Sequence, residues 1–217
     1  MLVGERMTKP VITVHPATSL PDALELMRKE HIERLPVVDK HGELVGIVSQ
    51  GDLLKASPSP ATSLSIHEMT YLLSKLPVEQ IMTRKVITVT EDTPLEDAAR
   101  IMVDNQISGL PVLRGKEVVG IVTETILFSI FLELLGARTA GIRVTAAVAD
   151  TPGELANLTK AIYEANGDIV ALGTFSGDSP AKGLVTLKVA GVEMEALKKA
   201  ITPYVESIVD IRTTRGA

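Results

Sequence analysis

Met7-Thr8-Lys9-Pro10-Val11-Ile12-Thr13-Val14 returns 75 residues later as Met82-Thr83-Arg84-Lys85-Val86-Ile87-Thr88-Val89, with six of the eight positions identical. The correspondence runs on through Thr18/Thr93, Leu20/Leu95, Asp22/Asp97, Ala23/Ala98, Met27/Met102 and Ile32/Ile107 to Leu35-Pro36-Val37 over Leu110-Pro111-Val112. One residue drops out in a turn, and Val45-Gly46-Ile47-Val48 then falls on Val119-Gly120-Ile121-Val122. Self-similarity of this kind implies a duplicated supersecondary unit. Residues 7 to 52 and 82 to 126 are its two copies.

Each copy has the same local order. Val11 to Val14 is β-branched and reads as a strand. Thr18 or Ser19 can then cap a helix whose apolar positions Leu20, Ala23, Leu24 and Met27 fall at helical spacing, repeated by Leu95, Ala98, Ala99 and Met102. Two apolar runs follow, Leu35 to Val38 and Leu44 to Val48, joined by the turn residues Asp39-Lys40-His41-Gly42. A second helix begins near Gln50. A unit of this size buries its sheet poorly alone, so two copies are expected to pack face to face.

The order of helix, Leu-Pro-Val, turn and Gly46-Ile47-Val48-Ser49-x-x-Asp52 resembles the cystathionine β-synthase (CBS) domain, over residues 7 to about 135. That resemblance implies a tandem pair that binds adenine nucleotides or related ligands in the clefts between its copies. In the family pattern the hydroxyl and carboxylate of [Ser/Thr]-x-x-Asp meet the nucleotide. Ser49 and Asp52 match it in copy one, and the spacing suits the task, because a carboxylate can accept from both ribose hydroxyls. Copy two reads Thr123-Glu124-Thr125-Ile126, and apolar Ile126 cannot replace the acid. Glu124, two positions earlier on a helix, would project elsewhere. One competent ribose site is expected rather than two. Arg34 could bring a guanidinium to phosphate, and Val11, Leu35 and Pro36 could flank a base. The same residues have plainer readings: Ser49 a helix cap, Asp52 a first-turn acid on the helix dipole, Arg34 a solvated charge and Leu35 a core residue.

After Gly136 the pattern changes. Ile142, Val144, Ala146 and Val148 alternate with Arg143, Thr145 and Ala147 as in a half-buried strand. A helix follows at Asp150-Thr151-Pro152-Gly153-Glu154-Leu155, with Leu155, Leu158, Ile162 and Ala165 on one side and Asn166-Gly167 as its stop. Ile169 to Phe175 and Leu184 to Val189 form a hairpin, and a helix from Met194 to about Val205 and a strand from Ser207 to Ile211 complete βαββαβ, the ferredoxin-like order. Asp150-x-Pro152-Gly153-x-Leu155 resembles the ACT domain, over roughly residues 140 to 213. The resemblance implies a regulatory module that binds small molecules, often amino acids. Asp150 could hold an ammonium while backbone N-H groups after Gly153 meet a carboxylate; equally, Asp150 could be an N-cap with Pro152 in the first helical turn.

The fold class expected is therefore α/β (α+β): two tandem CBS domains in a pseudo-symmetric pair, then a ferredoxin-like ACT domain. The division reads as CBS domain 1 over residues 1–56, a linker and connecting helix over 57–76, CBS domain 2 over 77–136 and the ACT domain over 137–217. This order of modules resembles the acetoin utilization protein AcuB family, whose members are regarded as regulators. The loop from Ser57 to Ser65 separates the copies, and Met69, Leu72 and Leu73 on the helix after it suggest docking on a partner surface such as another subunit, so a homodimer is expected.

Composition narrows the function classes. A formal net charge of -5 opposes attraction to phosphate backbones, so no nucleic-acid partner is expected. The most apolar stretch, Ile126 to Leu135, is about half the length a bilayer requires and reads as a buried or interface helix, so no membrane span is expected. With no signal-peptide pattern at Met1 to Pro10 and no cysteine, cytoplasm is the expected location. His15, His31, His41 and His67 lie in different elements, and neither a GxxxxGK[ST] loop nor a GxSxG elbow is present, so no catalytic residue, metal site or cofactor is assigned. The reading is a non-catalytic regulatory protein sensing an adenine nucleotide (AMP, ADP, ATP, NAD or S-adenosylmethionine), with the ACT domain taking a second small ligand or serving assembly. The alternative is a ligand-free scaffold for a partner protein.

Overall fold

The computed structural model describes residues 1–56, 65–177 and 181–216. The chain divides into two compact units, Met1–Leu127 and Phe128–Ala217. The Ser57 to Ser65 loop, apart from Ser65 itself, lies outside the described residues, as do the Met69 side chain and the tip of the 176–183 loop.

The first unit holds, in order, α1 (Val3–Arg6), α2 (Leu20–Lys29), β1 (Arg34–Val38), β2 (Leu44–Ser49), α3 (Gln50–Ala56), α4 (Ile66–Ser74), β3 (Val89–Thr90), α5 (Leu95–Asn105), β4 (Gly109–Arg114) and β5 (Glu117–Thr123), and α6 (Glu124–Leu134) runs out of it. Ser19 caps α2, its Oγ accepting from the Asp22 N-H at 3.3 Å. Leu20, Ala23 and Met27 then form a buried stripe on one helix face. α5 repeats that stripe with Leu95, Ala98 and Met102 but has Pro94 at its N-cap, so no side chain caps it. β1 pairs antiparallel with β2, Leu35 opposite Val48 and Val37 opposite Gly46, and β4 with β5 in the same way, Leu110 opposite Val122 and Val112 opposite Gly120. At the far end of β4, Arg114 donates to both Glu91 carboxylate oxygens at 2.8 and 2.9 Å. That hydrogen-bonded pairing draws the Glu91 carboxyl below its ordinary range.

The strand expected at Val11 to Val14 is largely absent. Only Val14 bridges a neighbour, Val37, in parallel sense, and in copy two the matching pairing covers Val89 and Thr90 alone. Residues 11 to 13 remain unpaired with half-buried side chains, because this edge walls a cleft instead of meeting another strand.

The copies also exchange their leading segments. Thr8 forms both backbone hydrogen bonds with Ile121 of copy two, at 2.9 and 3.2 Å, and Thr83 forms the same pair with Ile47 of copy one, at 2.9 and 3.0 Å. Leu2 bridges Pro94 as Pro77 bridges Ser19. Met7 lies over Gly120 and Met82 over Gly46; any side chain at either glycine would run into the methionine sulfur. Met7 and Thr8, read as the start of copy one, thus pack on copy two. The reason is steric, since each methionine fills the space that the missing side chain of a glycine leaves on the other copy's strand. Val78 and Met82 accordingly belong to the core formed by Leu20, Met27, Leu35, Val37 and Leu53.

The second unit continues with β6 (Gly141–Ala149), α7 (Glu154–Glu164), β7 (Asp168–Ser176), β8 (Lys182–Ala190), α8 (Met194–Ile201) and β9 (Ser207–Thr214). Its antiparallel sheet has the order β7-β8-β6-β9, the arrangement expected of βαββαβ. Ile142, Val144, Ala146 and Val148 all turn to one side and meet Leu158, Ile162, Leu197 and Ile201 from the helices. Asn166, at φ 60, ends the first helix as read from its side-chain type.

Three details differ from expectation. α7 starts at Glu154 with Gly153 as N-cap at φ 100, so Asp150 is not the cap and Pro152 precedes the helix. That backbone angle suits glycine alone, which moves the start past the Thr151-Pro152 turn. Leu155 is exposed, not part of the helix's buried side. The last helix stops at Ile201 and tightens into a 3-10 turn over Thr202–Tyr204, because Pro203 offers no N-H to continue it. Among the described residues no helix is long and apolar enough to cross a membrane.

Candidate functional site

The pseudo-symmetric pairing creates two clefts of about 320 Å³ each, within the lower range of small-molecule sites. Neither belongs to one copy. In one, Ser49 and Asp52 from the β2-α3 junction face Lys85, Val86, Ile87 and Ile107 of copy two. In the other, Val11, Ile12, Ile32 and Pro36 of copy one face Thr123, Thr125 and Ile126 at the β5-α6 junction.

This division separates residues that the sequence reading had grouped. Asp52 and Val11 line different clefts, so the apolar wall available to Asp52 is Val86 and Ile87, not Val11 and Pro36. Leu35 lines neither and is fully buried in the core. The cause is the exchange of leading segments, which carries each copy's wall over the other copy's helix start.

Ser49 and Asp52 hold one another in a reciprocal cap. The Ser49 Oγ-H donates to Asp52 Oδ2 at 2.6 Å, the Ser49 N-H donates to the same oxygen at 2.9 Å, and the Asp52 N-H donates to Ser49 Oγ at 3.2 Å. Capping and ligand contact are compatible here, because both bonds to the carboxylate fall on Oδ2. Oδ1 carries neither of these bonds and keeps its acceptor capacity.

Arg34 stands at both clefts. Its Nη1 donates to the Ser108 carbonyl at 2.8 Å and its Nη2 to the Ser108 hydroxyl. The guanidinium lies over Gly109, where an added Cβ would come within 2.8 Å of the Arg34 Cδ. It is therefore neither a simple solvated charge nor an uncommitted phosphate ligand: it links copy one to copy two. The sequence reading missed Lys85. It stands where copy one has Pro10, so Asp52 and Lys85 line one cleft while Ile126 and Pro10 take the equivalent places in the other, whose polar lining includes His31, Glu33 and Arg34.

The CBS domain model matches residues 3–59 and 78–133, just over half of the chain. The chain belongs to the CBS domain family. The TTHA0829-like ACT domain model matches residues 140–212 behind the CBS pair. The CBS pair of protein MJ0100, solved in complex with 5'-methylthioadenosine and S-adenosyl-L-methionine, is 38% identical, covers 60% of this chain and 95% of its own, and superposes with a TM-score of 0.51. A Vibrio cholerae structure named for acetoin utilization (AcuB) is 32% identical over 63% of this chain and 93% of its own, with a TM-score of 0.53. L-aspartate semialdehyde sulfurtransferase of Methanocaldococcus jannaschii is 40% identical over 123 residues, 56% of this chain. The CBS protein spans only 21% of that enzyme's length.

In the ACT domain, Asp150 and Leu155 line a cavity of about 290 Å³ with Glu154, Thr174 and Ser176, while Pro152 and Gly153 form the turn beside it. Asp150 is fixed through its backbone, its N-H donating to the Ala181 carbonyl at 3.0 Å. Among the described residues, two acids and three hydroxyls from Thr151, Thr174 and Ser176 suit a cationic or polyhydroxylated group.

Proposed function

We propose that this CBS and ACT protein is a non-catalytic regulator that senses an adenine nucleotide in the cleft between Asp52 and Lys85. One observation carries the reading: those two side chains, from different copies, line one cleft with apolar Ile47, Val86, Ile87 and Ile107. Asp52 Oδ1 would accept from ribose, the apolar residues would cover the base, and the Lys85 ammonium would meet phosphate. AMP, ADP, ATP, NAD and S-adenosylmethionine are the candidate ligands, and Lys85 favours those with phosphate over cationic S-adenosylmethionine. The solved MJ0100 pair supports an adenosine-based ligand. A ligand that spans residues of both copies can stabilise one arrangement of the pair over another, which is the physical basis of a sensor.

The ACT domain would take a second small ligand against Asp150, Pro152, Gly153 and Leu155, or serve assembly. Phe128 and Phe131 on α6 and Tyr71 and Leu72 on α4 are exposed in the single chain, which supports a homodimer, whereas Leu73 packs inward. A role in acetoin or related carbon catabolism is proposed with the AcuB neighbour as its one support, and cytoplasm remains the proposed location.

Calorimetric titration with the five candidates is the test. At least one phosphate-bearing nucleotide is expected to bind with a Kd of about 1 mM or tighter, a binding free energy near -4 kcal/mol or better. Absence of heat from all five at millimolar concentration would replace the sensor reading with that of a scaffold.

A further inference from the structure

Lys188 is the one buried polar or charged residue among those described, only 4% exposed. It lies on the face of the β7-β8-β6-β9 sheet opposite the helices, paired in register with Arg143 on β6. Strand alternation would leave this position in water, but the turn after α6 covers it. That turn closes with the Ala137 N-H donating to the Leu132 carbonyl and the Gly136 N-H to the Glu133 carbonyl, both at 2.9 Å, with Gly136 at φ 58. Lys188 Nζ donates to the Gly136 carbonyl at 2.6 Å, its one hydrogen bond among the described residues.

An ammonium has three N-H donors, and a buried charge without a counter-ion is costly. A carbonyl at the end of a helix satisfies only part of that demand. Beside Lys188 is a cavity of about 390 Å³ whose polar lining includes Arg143, Arg215, Thr186 and Thr214. Among the described residues, three cations and no acid line it. Asp210 pairs with Arg143 at 3.1 Å and more closely with Arg212, so it offsets Arg143 but does not reach Lys188. Leu135, Ala137 and Ala171 supply an apolar wall.

We propose that this cavity is an anion site for a small organic carboxylate, its oxygens on Lys188 and its short apolar body against Leu135 and Ala171. The site is separate from the Asp150 loop, which offers acids instead of cations, and independent of the nucleotide cleft. A carboxylate supplies the missing counter-charge, and the apolar wall distinguishes it from inorganic anions. Arg215, exposed at the rim, contributes attraction more than contact.

The test is titration of the full chain with acetate, isobutyrate, pyruvate and inorganic phosphate, followed by the Lys188 ammonium and Gly136 amide resonances. Isobutyrate or pyruvate is expected to shift both signals saturably below about 50 mM, the weak end of measurable affinity, and to bind more tightly than acetate or phosphate. Lys188→Met, which keeps the stem and removes the charge, should weaken that binding at least about tenfold, the scale of one charge-assisted hydrogen bond, and Arg215→Ala about threefold. No saturable shift with any probe, binding of phosphate alone, or equal binding by Lys188→Met would each overturn the proposal. Because the resonance shifts are read on the unaltered protein, they decide the matter even if Lys188→Met fails to fold.

Discussion

Asp52→Ala is expected to weaken nucleotide binding by about 10- to 100-fold, the effect of losing one or two hydrogen bonds to a charged group, whereas Ile126→Ala should change it by less than about threefold. Asp52 is the acid of the Lys85 cleft, and Ile126 occupies the corresponding place in the other. The asymmetry matters more than either number. Equal effects would mean that the nucleotide does not distinguish the clefts, and a larger effect of Ile126→Ala would place it in the wrong one. Asp52 also completes the cap of α3, so its removal carries a stability cost of about 0.5–2 kcal/mol. Asp52→Asn separates the two roles. The amide oxygen can still accept from the Ser49 N-H, so this variant should recover most of the stability and little of the affinity.

The second large effect concerns the exchanged segments. Met82 is 8% exposed and lies over Gly46, and an added Cβ at Gly46 would also come within 2.9 Å of the Met82 Cγ. Met82→Ala should cost about 2–5 kcal/mol through the cavity it leaves, and Gly46→Ala about 1–3 kcal/mol through overpacking. The double variant should be more stable than the sum of the two by about 0.5–3 kcal/mol, because the alanine at 46 extends into space that the shortened residue 82 vacates. Denaturant unfolding measures all four proteins. Strict additivity would show that these residues, 36 apart in the chain, do not touch. Met7 and Gly120 form the equivalent pair and should behave alike.

These contacts mark where sequence reading reached its limit. The repeat made equivalent positions visible, and β-branched runs, Ser19, the Asp39-Gly42 turn and Asn166 located most elements through local chemistry. The α/β class, the tandem pair and the βαββαβ order all hold. Equivalence between copies does not reveal which copy's wall closes over which helix start, because that is decided by packing of Met7 and Met82 on glycines far away in the chain. Asp52 was therefore recognisable while its apolar partners were not. Aligning Pro10 with Lys85 did contain a signal, a proline replaced by a cation beside a cleft, but it acquires meaning only once the exchange places Lys85 opposite Asp52. Lys188 had no comparable signal. Alternation along β8 puts it on the solvent face, and its burial depends on the Gly136 turn, 52 residues earlier.

Binding stoichiometry is the most direct measure of the central claim. Equilibrium dialysis with radiolabelled AMP, at protein concentrations well above the Kd, should saturate at one AMP per chain and lose that binding in Asp52→Ala, while Ile126→Ala keeps it. Saturation at two equivalent sites per chain, or unchanged binding by Asp52→Ala, would contradict the assignment of the nucleotide to the Asp52 and Lys85 cleft.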